Sequence, residues 1–184
     1  MKKTLMLVFA VAGIGFAAFA IDYTWTDNAG DGLWTSPGNC NQNSGYPQIS
    51  SVYARFNKPA TVTVDTGAVV DVGLVTVNTG SLVFDGALDL AGLDAQGGTV
   101  KIGEKLQPWM DGTADLSIAK TGATLDLDYD GEAVFKTMSI GGQSRGAGAY
   151  SATQGATIVK RVLAGRGSLR ILNGNDPSLI ILTR

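Results

Sequence analysis

Between Ala60 and Asp128 the chain repeats one pattern, in which apolar side chains alternate with polar or small ones and glycine closes each short run. The runs are TVTVDTG, VVDVG, LVTVNTG, SLVFDG, ALDLAG, GGTVKIG, DLSIAKTG and ATLDLDYDG. Alternation with period two sends one set of side chains inward and the other to water, which is the signature of a half-buried strand. Glycine, often preceded by Asp, Asn or Thr, supplies the backbone freedom a tight corner needs. No window here carries the i, i+3, i+4, i+7 pattern of a helix. Within these runs Leu82, Phe84, Leu88, Leu90, Leu125 and Leu127 share one parity and are expected to point into a single core.

Units this short, joined by small residues and lacking long connections, can stack as the faces of a solenoid, about three units making a coil of roughly 20 residues. The expected fold is all-β: a right-handed β-solenoid, parallel β-helix-like, with an aromatic cap at its N-terminal end. The alternative is a β-sandwich in which the same strands pair as a meander. Leu106 to Gly112, with Pro108 and Trp109, breaks the beat and reads as a loop leaving the stack.

The flanks have a different texture. Residues 21–58 hold Trp25 and Trp34, three tyrosines, and the turn-forming stretches Asp27 to Gly32 and Asn39 to Gly45. Aromatics on short strands between turns suit a cap, because the open end of a stack exposes unpaired backbone groups. The β-solenoid domain is expected over 59–184. Its closing part runs through Ser139-Ile140-Gly141-Gly142, Gly148-Ala149-Tyr150 and Gly165-Arg166-Gly167-Ser168-Leu169-Arg170-Ile171. A final strand is expected at Ser178–Thr183, after the turn Asn173 to Pro177.

The opening motifs Thr24-Trp25, Gly30-Asp31-Gly32, Trp34 and Gly38-Asn39, together with the closing ones just named, resemble the autotransporter-associated β-strand repeat modules of bacterial surface proteins. Where that family usually has tryptophan after Gly-Asn, this chain has Cys40, which points to a buried apolar position filled by a smaller residue. The resemblance implies an exported β-solenoid without enzymatic activity. The family's continuation into many repeats or a membrane barrel is missing here, so a single free-standing module is expected.

Composition narrows the function classes. There is no histidine among the 184 residues, which removes histidine general bases, Ser-His triads and His-ligated zinc. A net charge of -2 argues against nucleic acid, whose phosphates call for a basic face. Lys2 and Lys3, the uncharged run Leu5 to Phe16 and Ala18-Phe19-Ala20 form the three parts of a secretory signal, so residues 1–20 are expected to be removed and the product to begin at Ile21. A retained anchor is the alternative, though the run is marginal for spanning. Cys40 is the single cysteine, so it is either a buried small hydrophobe or an intermolecular thiol.

Four groups could carry chemistry. Asp126, Asp128 and Asp130, followed by Gly131, begin like a calcium loop. The twelfth position is Thr137 rather than glutamate, and the same residues read equally as a strand with Leu125, Leu127 and Tyr129 inward. Asp85, Asp89 and Asp94 could supply paired carboxylates for glycoside cleavage, or simply cap strand ends. Trp25, Trp34 and Trp109 could form a sugar-stacking platform or serve as hydrophobic plugs, Trp109 being the better candidate for exposure. Lys160, Arg161, Arg166 and Arg170 form a basic cluster suited to a solvated face.

The expected function is a non-enzymatic structural or adhesive element, secreted or at the cell surface, with no cofactor. Its expected partners are other copies of itself or extracellular polysaccharide. The alternatives are a carbohydrate-binding module using exposed aromatics and a polysaccharide-cleaving enzyme of the β-helix kind.

Overall fold

The computed structural model describes residues 21–42, 45–64, 69–84, 87–103, 112–154 and 156–174. The chain enters as β1 (Ile21–Thr24) and continues through β2 (Val52–Phe56), β3 (Thr61–Val64), β4 (Val69–Val77) and β5 (Ser81–Phe84). Next come β6 (Ala87–Ala95), β7 (Gly98–Gly103), β8 (Asp115–Ile118), β9 (Ala123–Asp128) and β10 (Glu132–Phe135). The last elements are β11 (Thr137–Ile140), β12 (Gln143–Ser144), β13 (Gly148–Ser151), a helix α1 (Thr157–Val162), β14 (Leu163–Gly165) and β15 (Ser168–Ile171).

These strands pair with their counterparts one coil away rather than with their sequence neighbours. One sheet runs β1-β2-β4-β6-β8-β11-β12, and a second runs β3-β5-β7-β9-β14. Every pairing in them is parallel except the last step, β11 to β12. On the first face Tyr53 pairs with Leu74, Leu74 with Gly92, Gly92 with Asp115 and Asp115 with Thr137, in steps of 21, 18, 23 and 22 residues. That is a β-solenoid. The β-sandwich alternative is excluded, because its meander would pair successive strands antiparallel.

A third face forms within β4 and β6. Along β4 the buried positions pass from Val72 to Val75, and along β6 from Leu90 to Leu93, so the alternation slips by one residue at Gly73 and at Ala91. A one-residue slip turns the strand's other side inward, and it marks the corner where the chain leaves the third face for the first. At the same place in coil order further along, β10 pairs in parallel with β15. The loop expected over Leu106 to Gly112 lies, apart from Gly112, outside the described residues.

The core is built of in-register apolar columns. Ala54, Val75, Leu93, Leu116 and Met138 stack on the first face, and Val62, Leu82, Val100, Leu125 and Leu163 on the second. All ten are buried. Each fully buried aliphatic side chain contributes about 1.5–3 kcal/mol, so the stack is held mainly by this strip of side chains. The expectation that Leu82, Phe84, Leu90, Leu125 and Leu127 share one core is met; the side chain of Leu88 lies outside the described residues. One outward column of the second face is short and polar throughout: Thr61, Ser81, Thr99 and Thr124.

The cap segment follows the path of a coil. β1 lies parallel on β2, and Leu33 forms a parallel bridge with Thr63 of β3. Trp25 and Trp34 both pack on Phe56, with ring centroids 5.7 and 5.5 Å apart. At Thr24 to Thr26 the outer edge of this first coil is covered by the returning chain. Thr26 N–H donates to the Asn39 carbonyl at 2.7 Å, and Asn41 N–H to the Thr24 carbonyl at 2.9 Å. Thr24 N–H finds the Asn41 side chain at 2.8 Å. Backbone groups there that would otherwise recruit a foreign strand are thereby occupied. At the other end the parallel order is broken by two reversals, β12 against β11 and β13 against β15. The helix α1, which no periodicity announced, tucks Val159 and Val162 into the core there. The expected strand at Ser178–Thr183 lies outside the described residues.

Candidate functional site

The first face carries an open groove of about 650 Å³. It forms because β2, β4, β6, β8 and β11 present, on their outward side, residues of very different size in one column: Tyr53, Leu74, Gly92, Asp115 and Thr137. A second outward column, Asp94, Ser117 and Ser139, forms the other wall. With strands spaced about 4.8 Å apart, the four steps from Tyr53 to Thr137 span roughly 19 Å along the axis of the stack. Tyr53 is 38% exposed and is one of the few large apolar side chains left at the surface among the described residues. The Thr137 hydroxyl donates to Asp115 Oδ1 at 2.6 Å, and the Gln96 amide donates to Asp94 Oδ1 at 2.5 Å. Both carboxylates are therefore held by neighbours, with acceptor capacity still turned to solvent.

The residues singled out from the sequence are placed elsewhere. Trp25 and Trp34 are 2% and 1% exposed, and the Trp34 indole N–H is spent on the Pro47 carbonyl at 3.1 Å, so neither ring offers a face to a sugar. They are plugs of the cap. Trp109 lies outside the described residues. Along β9, Leu125, Leu127 and then Tyr129 are buried, and the aspartates between them point outward. Asp128 pairs with Lys101 at 2.7 Å and Asp130 with Arg166 at 3.4 Å, so these carboxylates meet cations instead of converging on a common centre. The Lys101 ammonium, by hydrogen bond and charge, also holds the Asp128 carboxyl below its ordinary range.

Asp89 and Asp94 fall on different faces: Asp89 lies beside Asp71 on the third, and Asp94 on the first. They do not flank a common cleft, and Asp85 lies outside the described residues. Of the basic cluster, Arg170 is tied to Glu132 at 2.6 Å and Arg166 to Asp130. Lys160 and Arg161 occupy the last turn of α1, where positive charge complements the helix dipole. Cys40 is buried, which pushes its thiol up to about 11.

The Gly-Asp-Gly and Gly-Asn motifs have a structural use. Asn39 is fully buried; its amide donates to Asp31 at 2.6 Å and to the Leu33 carbonyl at 3.0 Å, and its oxygen accepts Ala29 N–H at 2.9 Å. Asp31 also accepts from Leu33 N–H at 3.0 Å and from the Ser36 hydroxyl, and these bonds lower its pKa, Ser36 most of all. Two turns of the cap are thus locked by one carboxylate and one amide.

The groove escaped the reading of the sequence because its residues come from five coils. No protein family, characterised protein or solved structure matches the chain.

Proposed function

We propose that the chain is an exported, non-enzymatic structural or adhesive module that works at or outside the cell surface, akin to the autotransporter-associated repeat modules it resembles. The observation that carries this reading is the architecture of the described stack. The returning chain covers its N-terminal edge at Thr24 to Thr26, antiparallel strands break its order at the other end, and its side chains divide between apolar inner columns and mostly polar outer ones. Such a body is a stiff block whose outward columns are surface for contact. The Lys-Lys, apolar run and Ala-Phe-Ala series at the N-terminus supports export. Attachment tests the adhesive form of the reading: beads coated with the exported product are expected to adhere to cells or extracellular matrix more than beads coated with a urea-unfolded sample. Equal attachment by the two would overturn it.

A carbohydrate-binding role is the second reading, and the groove on the first face favours it.

A further inference from the structure

We propose that the groove on the first face binds a neutral, extended polysaccharide laid along the axis of the stack, with Tyr53 and Leu74 as its stacking end and Asp94, Asp115, Ser117 and Ser139 as its hydrogen-bonding walls. This deepens the adhesive reading and rests on it. The outward column of the groove stays open at Gly92.

At Gly73 a side chain is impossible, because a Cβ would lie 2.5 Å from the Ser50 carbonyl oxygen. Gly92, one coil on and on the groove floor, is different. Its φ is not in the left-handed region, and a Cβ there would meet first the Leu74 Cδ1 atom at 3.1 Å, the movable end of a side chain. Glycine within a strand marks a bend or a close approach by another group, and Gly92, beside the corner at Ala91, has no backbone clash that forbids a side chain. Its lack of a side chain is what keeps the column open between Leu74 and Asp115.

The chemistry along the groove selects the occupant. Tyr53 and Leu74 give an apolar surface suited to the C–H face of a sugar ring, and the tyrosine orders at little entropic cost. The Ser117 and Ser139 hydroxyls line the groove and can each donate and accept, while the two aspartates accept. Among the described residues lining the groove there are two carboxylates and no lysine or arginine. That lining repels nucleic acid and acidic polysaccharides and suits an uncharged chain of hydroxyls. A groove repeated once per strand, across five strands, also matches a polymer better than a single small molecule.

Isothermal titration of the exported product tests this, with hexasaccharides of β-1,4-glucose, β-1,3-glucose, β-1,4-mannose and β-1,4-N-acetylglucosamine, and with hexagalacturonate as the acidic counterpart. At least one neutral oligomer is expected to bind with Kd below about 1 mM. Gly92→Leu, which fills the groove, and Tyr53→Ala should each weaken it on the order of tenfold. Arg170→Gln, on another face, should leave it unchanged. Should Gly92→Leu alter the circular dichroism or urea midpoint, the exposed-site double variant Asp115→Asn/Ser117→Ala takes its place with the same expectation. No binding by any neutral oligomer, preference for the acidic one, or equal binding by wild type and groove variants overturns the proposal. Failure of the adhesive reading is seen separately, as bead attachment that does not depend on folding while the oligosaccharide still binds.

Discussion

The corner glycines allow the packing of coil on coil to be measured. Gly98 and Gly122 have similar φ, +72° and +80°, but different surroundings. A Cβ on Gly122 would meet nothing within 4 Å, whereas one on Gly98 would sit 2.2 Å from the Gly80 carbonyl oxygen and 2.8 Å from the Gly80 nitrogen. Replacement by alanine costs about 1–2 kcal/mol at either site for the left-handed conformation. At Gly98 the neighbouring coil must also retreat by the better part of an ångström, disturbing the 2.9 Å bond from Thr99 N–H to the Gly80 carbonyl. Overpacking of that kind adds about 1–3 kcal/mol, and the weakened hydrogen bond about 1 kcal/mol. Gly122→Ala should therefore lower stability by about 1–2 kcal/mol, and Gly98→Ala by about 2–4 kcal/mol more. Any gain from restricting the unfolded chain is the same for both and cancels. Urea unfolding followed by circular dichroism gives the two values, and equal losses would refute the claim that successive coils touch at this corner.

Three further outcomes are expected. Leu125→Ala should cost about 2–5 kcal/mol as a cavity, while Asp126→Asn, one residue on and outward, should stay within about 0.5 kcal/mol; urea midpoints with similar losses would place the register wrongly. Cys40, with its thiol pushed up to about 11 by burial, should not react with a disulfide reagent at pH 8 until the protein is unfolded, so rapid labelling of the native state would contradict its placement. Asp31, whose carboxyl is held below its ordinary value of 3.8 by Ser36 and Leu33 N–H, stabilises the cap above that value and ceases to do so as pH falls through its lowered one. Tryptophan fluorescence of Trp25 and Trp34 should report loosening of the cap below about pH 4, and Asp31→Asn should abolish this step.

The parts of the fold legible in the sequence are those set by nearest neighbours along the chain. Val62 and Val64, Leu82 and Phe84, and Leu125 and Leu127 announce their inward parity because strand periodicity is local. The aspartates between the leucines of β9 announce the outer face for the same reason, and the resemblance to modules with tryptophan after Gly-Asn implied Cys40 as an apolar substitute. What stayed hidden depends on partners 18 to 38 residues away, such as Leu90 with Val72 or Leu163 with Leu125. The six residues of α1 are too few to reveal a helical period, and they form where Val159 and Val162 can reach the core. The groove column from Tyr53 to Thr137 draws on five coils, so no stretch of sequence displays it. The tryptophans drew attention as sugar platforms because an aromatic in a turn-rich segment looks the same whether it plugs a cap or faces water.

Export underlies the proposed role, and the N-terminus of the mature product tests it most directly. The full chain, carrying a C-terminal epitope tag and produced in a bacterial host, should be recovered from the medium or from the surface of intact cells. Mass spectrometry of that material should find its first residue to be Ile21. Recovery in the cytoplasm alone, with residues 1–20 still attached, would contradict the account.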